Sequence, residues 1–144
     1  SIVLDLYDLR RQLESSLMPR VVELISETQL KRCEGILSEW AKLTHSVDLT
    51  YEADQRFHEA LYVVVDNRML SSLCHIFWST FRDLETSSQL TRETPLSPES
   101  TLKTIESHRQ ILNAIRARDG QLASRLMFEH FGKIERGRLD AGCV

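Results

Sequence analysis

Four side chains that can bind a metal ion fall on the apolar faces of three predicted helices: Asp54 and His58 on one, His108 on a second and His130 on a third. Each has apolar residues three or four positions away, which is the spacing of one helix face. Asp54 and His58 are themselves four residues apart, so they lie on adjacent turns and can chelate one ion. The spacing therefore directs all four side chains toward the interior.

Buried polar groups of this kind need partners, because an unpaired imidazole or carboxylate costs on the order of several kcal/mol in the interior. A divalent cation shared by three imidazoles and one carboxylate meets that need, and this ligand set suits zinc, nickel, iron or copper. An ion with five or six ligands would keep one or two positions open for a small molecule. The alternative is that each histidine is an ordinary hydrogen-bonded core residue, and the spacing alone leaves both interpretations open. The other two histidines, His45 and His75, do not follow the pattern and are interpreted as surface or boundary residues.

Two arginines are candidates for binding an anion near such a site. Arg10 follows the apolar stripe of the first predicted helix, so we expect its guanidinium to point inward. A buried guanidinium stays charged and requires an anionic partner. That partner is either a carboxylate of the chain, such as Glu14 or Asp54, or the carboxylate of a bound ligand. Arg82, on the fourth predicted helix, is a weaker candidate for the same role.

About six helices are predicted to position these side chains, because apolar residues recur at steps of three and four along most of the chain. No segment alternates as a strand would, so we expect an all-α, antiparallel bundle of about six helices with a central metal site. The apolar stripes comprise, in chain order, Leu6, Leu9, Leu13 and Leu17; Leu30, Cys33, Leu37, Trp40 and Leu43; Ala53, Phe57, Leu61 and Val65; Leu70, Leu73, Phe77, Phe81 and Leu84; Leu102, Ile105, Leu112 and Ile115; and Leu122, Leu126 and Ile134.

Prolines and capping residues predict where these helices begin and end. Pro19 removes a backbone donor, so we expect it to kink the first helix or to end its first half. Ser26 or Thr28 is predicted to cap the second helix, and the third is expected over residues 48–67.

The second half of the chain has one predicted loop, at residues 91–100, which contains two prolines. At its end, Ser97 and Pro98 form a helix start, with serine at the N-cap and proline in the first turn. Asp119 is predicted to end the fifth helix and to cap the sixth.

Composition limits the class of protein. The chain has 144 residues, which is the size of one domain, and a net charge of −3, which argues against a stand-alone nucleic-acid binder. The longest apolar run, residues 60–65, is far shorter than the roughly 20 residues that span a membrane, and the first residues do not resemble a signal peptide. Three separated cysteines, Cys33, Cys74 and Cys143, favour free thiols in a reducing, cytoplasmic compartment.

Four segments of the chain, in order, resemble the C-terminal effector domain, or FCD domain, of GntR-type transcription regulators of the FadR subfamily. The resemblance extends from Leu6 to about Leu139, and it departs from the family where Arg20-Val21-Val22 replaces small alanines. The segments are Leu6-Tyr7-Asp8-Leu9-Arg10 with Leu13-Glu14; D-x-x-F-H-x-x-L from Asp54 to Leu61, followed by Asn67 and Leu70; H-x-x-I-x-x-A-I-x-x-x-D from His108 to Asp119; and A-x-x-x-M-x-x-H from Ala123 to His130.

The resemblance implies a bundle of six or seven helices that holds a divalent metal, with zinc or nickel expected, through Asp54, His58, His108 and His130. It also implies a small organic acid as effector, a homodimer, and an N-terminal winged helix-turn-helix domain that binds operator DNA. Since no such domain is found in this sequence, we expect residues 1–144 to be the effector-binding and dimerisation domain of a longer protein. We expect neither DNA nor a membrane to bind this part of it.

Two other functions remain open for the same residues. A metal-dependent hydrolase or isomerase would need a general base beside the ion. Glu106 and Glu129 are close to the histidines in sequence, but their helical offsets turn them away. A purely structural dimerisation bundle would hold no metal. We therefore predict a regulator without enzymatic activity, in which a carboxylate effector shifts helix packing and so alters DNA binding.

Overall fold

The structure is a computed structural model that describes residues 2–87 and 97–140. These residues form six α-helices and one short 3-10 turn, Val63–Val65, and they contain no strand. The predicted all-α bundle of about six helices is therefore confirmed. The helices are α1 (Ile2–Leu24), α2 (Glu27–Ala41), α3 (Val47–Tyr62), α4 (Arg68–Ser87), α5 (Pro98–Arg116) and α6 (Gly120–Asp140).

The bundle is organised around α1, which packs along most of its length against α6. In turn α6 packs against α5, α5 against α2, and α2 against α3, while α1 also touches α3, α4 and α5. This arrangement encloses one interior, which α1, α3, α5 and α6 all face. Its fully buried apolar side chains include Met18, Leu37, Phe57, Ile115 and Met127.

Local capping chemistry begins three of the helices where the sequence predicts. Ser26, rather than Thr28, is the N-cap of α2, and its hydroxyl accepts a hydrogen bond from the third residue of the helix. Ser97 caps α5 with Pro98 in the first turn, and the carboxylate of Asp119 accepts from a backbone N–H at the start of α6.

Of the two alternatives for Pro19, a kink or an end to the first half of the helix, the second is wrong, because α1 continues through Pro19 to Leu24. Met18 and Val21 on either side of the proline are fully buried, so tertiary packing compensates for the one backbone hydrogen bond that proline removes. The close fit extends to α6, where a Cβ added at Gly120 would lie 3.1 Å from the Cα of Pro19. The Val21-Val22 pair, which departs from the family pattern, is buried in the core.

The predicted apolar stripe of α1 is also wrong in part. Leu9 is 58% exposed, whereas the polar residues Arg10 and Glu14 are buried. The spacing predicted an inward Arg10 and an inward Leu9, but in the structure Glu14 is buried together with Arg10 and Leu9 is not. Among the side chains that the structure describes in the remaining stripes, Leu73 of α4 and Leu102 of α5 are likewise exposed.

The third helix is shorter than the predicted 48–67, because α3 ends at Tyr62 and Asp66 adopts a left-handed conformation with φ of 51°. Cys33 and Cys74 are buried free thiols, as expected. Most of the predicted loop, the side chain of Ile134 and Cys143 lie outside the described residues. None of the described helices has the length and apolar character needed to cross a membrane.

Candidate metal centre

Three histidines from three different helices meet in the interior of the bundle. His58 comes from α3, His108 from α5 and His130 from α6, and they are 1%, 0% and 3% exposed. One ring nitrogen from each lies within 4.8 Å of the other two. The structure thus brings together the three imidazoles that helical spacing directed inward.

Asp54 reaches the same point from the turn of α3 that precedes His58. Its Oδ1 lies 2.8 Å from Nε2 of His108 and 3.2 Å from Nε2 of His58, and these two nitrogens are 3.2 Å apart. The Asp54 side chain is 18% exposed, so it forms the edge of the cluster that is nearest to solvent. Asp54 thus adjoins two of the three histidines, and the role of all four predicted ligands in metal binding stays a prediction.

The opposite nitrogens of His58 and His108 are occupied by acceptors outside the cluster. Nδ1 of His108 donates to the carbonyl oxygen of Thr104 at 2.7 Å, and Nδ1 of His58 donates to Oε1 of Glu14 at 2.5 Å. Because a carbonyl or a carboxylate can only accept, Nδ1 carries a hydrogen in both rings. The Nε2 atoms of both rings face Asp54 and each other, so a cation at the centre would bind them in place of any hydrogen they carry.

His130 has a corresponding partner, the hydroxyl of Ser107, at 2.9 Å from its Nδ1. Ser107 lies on α5 next to His108, so one turn of α5 contributes both a histidine of the cluster and a hydroxyl that orients another. Sequence reasoning missed Ser107, and no spacing rule would have found it, because the contact joins residues of two different helices.

The charges around the cluster favour a positive species at its centre. Burial lowers the pKa of His58, but Glu14 and Asp54 outweigh burial and raise that pKa to about 9. Burial raises the pKa of Asp54, yet His108 and His58 hold it well below its usual value. His130 differs, since burial and the neighbouring imidazoles both lower its pKa. A proton or a divalent cation would satisfy the two carboxylates.

Arg10 points inward, as its position on α1 predicts, and it already has a partner within the chain. Its Nε donates to Oε2 of Glu14 at 2.8 Å, and its guanidinium carbon lies 4.5 Å and 4.8 Å from the ring centres of Trp78 and Phe131. Among the residues that the structure describes, Glu14 is the hydrogen-bond acceptor for Nε of Arg10, and no acceptor is found for its two terminal nitrogens. Arg82 is exposed on α4, in contrast to the buried Arg10, and its part in effector binding stays a prediction.

Glu14 has more contacts in the site than the sequence indicated. The sequence suggested Glu14 only as a possible counter-ion for Arg10. Its buried carboxylate accepts hydrogen bonds from Arg10, from His58 and from the hydroxyl of Tyr62. Burial raises the pKa of Glu14, but Arg10 and His58 outweigh burial and lower it to about 2. The available signal was helical spacing, since Glu14 follows Arg10 by four residues and Tyr62 follows His58 by four.

The remaining candidates lie at the surface. His45 and His75 are exposed, as expected. Glu106 and Glu129, the residues that an enzyme would need as general base, are exposed and face away from the interior.

Comparison with known proteins finds matches along nearly the whole chain. The FCD domain family matches residues 5–133. The HTH-type transcriptional repressor RspR of Escherichia coli K12 is 26% identical over 131 residues, which cover 88% of this chain and 54% of RspR. The uncharacterized HTH-type transcriptional regulator YdfH of Shigella flexneri matches with the same values. The chain therefore spans about half the length of these curated relatives.

A solved structure has a similar fold. Streptococcus agalactiae GntR superposes with a TM-score of 0.75, covering 94% of this chain and 58% of its own, at 23% sequence identity. At that identity, the similarity concerns the fold alone.

Proposed function

Because the chain belongs to the FCD domain family, we propose that it is the ligand-sensing and dimerisation domain of a GntR-type transcription regulator. FCD domains of such regulators are regulatory and non-enzymatic, in agreement with the prediction that this chain is not an enzyme. We also propose that the domain binds a divalent cation at the buried histidines. A small carboxylate effector would bind beside this cation.

The observation that carries the cation is the convergence of three buried histidines from three helices, with Asp54 beside two of them. The proposed ligands are Asp54, His58, His108 and His130, and zinc or nickel suits a set of three imidazoles and one carboxylate. With bonds of about 2.0–2.1 Å, two ligands of one ion are at most about 4.2 Å apart. The separations of 2.8–3.2 Å among Asp54, His58 and His108 fit this limit.

The proposed effector is a small organic acid that contacts the cation and Arg10. The guanidinium is buried beside the cluster, is held between Trp78 and Phe131, and retains donors that Glu14 does not use. A carboxylate offers a guanidinium two acceptors in one plane, which matches the geometry of its N–H groups. The effector acts through its differential affinity for two arrangements of the helices.

The whole regulator would contain a DNA-binding part besides this chain. The relatives named above are HTH-type regulators about twice as long as the matched region. We propose that a winged helix-turn-helix domain in the remaining half binds operator DNA, and that residues 1–144 control this binding without touching DNA. The net charge of −3 favours that division of roles. A regulator of this kind would act in the cytoplasm.

Exposed apolar side chains on α4 support the proposed homodimer. Met69, Leu73 and Ile76 are spaced by four and three residues, so they share one face of α4, and Met69 and Ile76 are 76% and 57% exposed. The test is sedimentation velocity of the M69D/I76D variant. We expect a dimer for the wild type and a monomer for the variant, and a dimeric variant would exclude this face as the interface.

Elemental analysis of gently purified protein tests the cation. We expect about one equivalent of a divalent metal in the wild type and in His75→Ala, which removes an exposed histidine. The double variant H108A/H130A should lose the metal, because it removes two of the four proposed ligands. Unchanged metal content in the double variant would exclude this site, and metal-free wild-type protein would favour the purely structural bundle.

Native mass spectrometry, followed by thermal shift with a panel of small carboxylates, tests the effector. We expect at least one acid to raise the melting temperature of the zinc-loaded protein and to lose this effect in Arg10→Gln. The matched control is Arg56→Gln, which changes an exposed arginine of α3. An equal response in all three proteins would remove Arg10 from the effector site.

A further inference from the structure

Glu14 holds two of the proposed functional side chains at once, through different oxygens of one carboxylate. Oε1 accepts from Nδ1 of His58 at 2.5 Å and also from the hydroxyl of Tyr62, whereas Oε2 accepts from Nε of Arg10 at 2.8 Å. The carboxylate belongs to α1, while His58 and Tyr62 belong to α3. Glu14 is therefore the buried link between the helix that carries Arg10 and the helix that carries two proposed metal ligands.

We propose that Glu14 is a positioning residue that orients His58 for cation binding and Arg10 for anion binding, and so couples the two halves of the site. The inference rests on the proposed cation site and goes beyond it, since Glu14 is not among the four ligands. The four proposed ligands do not by themselves explain why the carboxylate of Glu14 is buried, and a positioning role does.

The contact with Glu14 determines which nitrogen of His58 faces the cation. An ionised carboxylate can only accept, so it holds a hydrogen on Nδ1, and Nε2 is the nitrogen that lies toward Asp54 and His108 and can exchange its hydrogen for a cation. A carboxylate on the far nitrogen also increases the basicity of a metal-bound imidazole. Loss of such an outer partner typically lowers metal affinity about 10- to 100-fold.

The contacts of Glu14 exceed those of an ordinary buried ion pair. An ion pair with Arg10 alone would need only Oε2, yet Oε1 is engaged by two side chains of α3. A purely structural role would change the stability of the fold. A positioning role changes the affinity for the cation, because it acts on the orientation of a ligand.

The carboxylate of Glu14 couples the positions of Arg10 and His58. Any rotation of the Glu14 carboxylate moves the acceptors of Arg10 and His58 together, because both belong to one rigid, planar group. An anion attracted to the guanidinium of Arg10 thus acts on the same carboxylate that orients His58. The two proposed binding events are linked through this group, and linkage of this kind is reciprocal.

The experiment measures Zn²⁺ affinity of the 144-residue chain by competition with a chromophoric chelator. We expect Glu14→Gln, which keeps the size of the side chain but removes its charge, to bind Zn²⁺ about 10- to 100-fold more weakly. Glu23→Gln, an exposed glutamate of the same helix, is the matched control and should bind as the wild type does. The visible absorption of bound Co²⁺ should change in Glu14→Gln alone, since this spectrum reports the geometry of the ligands.

The possible outcomes distinguish this inference from the proposed function. Wild-type affinity and an unchanged Co²⁺ spectrum in folded Glu14→Gln would overturn the role of Glu14 and leave the cation site intact. A wild-type protein that binds no Zn²⁺ would overturn both. If Glu14→Gln does not fold, long-range ¹H–¹⁵N spectra of the zinc-loaded wild type test the role of Glu14 instead. These spectra report which ring nitrogen of His58 carries a hydrogen and which binds zinc. The inference requires a hydrogen on Nδ1 of His58 and zinc on Nε2, and the reverse arrangement would overturn it.

Discussion

The interior of this bundle contains two regions that are chemically opposite. One is a polar centre, and the other is an apolar core. Helix α1 passes through both, because its first half contributes charged side chains and its second half contributes aliphatic ones. The polar centre consists of Arg10, Glu14, Asp54, His58, Tyr62, His108 and His130, and the apolar core is represented by Met18, Val21, Leu37, Ile115 and Met127.

The difference shows which region stabilises the fold. Each apolar side chain contributes about 1.5–3 kcal/mol when it is removed from water. Buried charges must be desolvated, and well-packed apolar residues in their place are often neutral or stabilising. Stability alone therefore accounts for the apolar core and does not account for the polar centre. The ligand proposed above, which needs these donors, would account for the composition of the polar centre.

The largest expected effect on stability is in the apolar core. Leu37→Ala should lower the free energy of unfolding by about 2–5 kcal/mol, because it leaves a cavity at a fully buried site. Urea denaturation of the metal-free protein measures this, with exposed Leu102→Ala as the control. Zn²⁺ affinity of the folded Leu37→Ala protein should equal that of the wild type. A large loss of affinity would show that the two regions are not separable.

Cation removal should affect only the polar centre. At a free Zn²⁺ concentration of 100 times the Kd, binding to the folded state adds about 2.7 kcal/mol of stability, which EDTA removes. Thermal denaturation with and without EDTA should therefore differ for the wild type and for Leu102→Ala. His130→Ala, which lacks a proposed ligand, should melt at the same temperature under both conditions. An EDTA response of wild-type size in His130→Ala would contradict the ligand set.

Substitution of Gly120, which lies against Pro19, tests how tightly the apolar half of α1 packs, and Gly35 is the control. Gly120→Ala should destabilise the protein by about 1–3 kcal/mol, because the new Cβ would lie 3.1 Å from the Cα of Pro19. Gly35→Ala, in the middle of α2, should stabilise by about 0.5–1 kcal/mol, because nothing lies within 4 Å of its added Cβ. Chemical denaturation of both variants measures the difference, and equal effects would exclude close packing at Pro19.

The smallest expected effect is on the reactivity of the thiols. Their rate of reaction measures how well they are buried, and the measurement leaves the stability of the fold unchanged. Burial raises the pKa of Cys33 to about 11, and burial with the charges of Glu14 and Glu59 raises that of Cys74 to about 12. Because only the thiolate reacts, the native Cys143→Ser protein should react very slowly with a thiol reagent at pH 8. In denaturant, two thiols should react at once, and rapid reaction of the native protein would contradict their burial.

The sequence predicted those features of the fold that depend on neighbours along the chain. Ser26, Ser97 and Asp119 cap helices through contacts within one turn, so their types and positions are sufficient. The predictions failed where a distant helix decides the outcome. Pro19 remains inside α1 because burial against the rest of the bundle outweighs its local cost. Leu9 is exposed because the packing of α1 turns Arg10 and Glu14 inward.

The same division applies to the candidate site. The periodicity of a helix shows which of its residues share one face. By itself, this periodicity indicated that Asp54, His58, His108 and His130 face inward. It carries no information about which helices meet or how each is rotated about its axis. Only the tertiary structure placed the Nε2 atoms of His58 and His108 beside one oxygen of Asp54. It alone put Glu14 against His58, since 44 residues of chain separate a contact that packing of α1 on α3 creates.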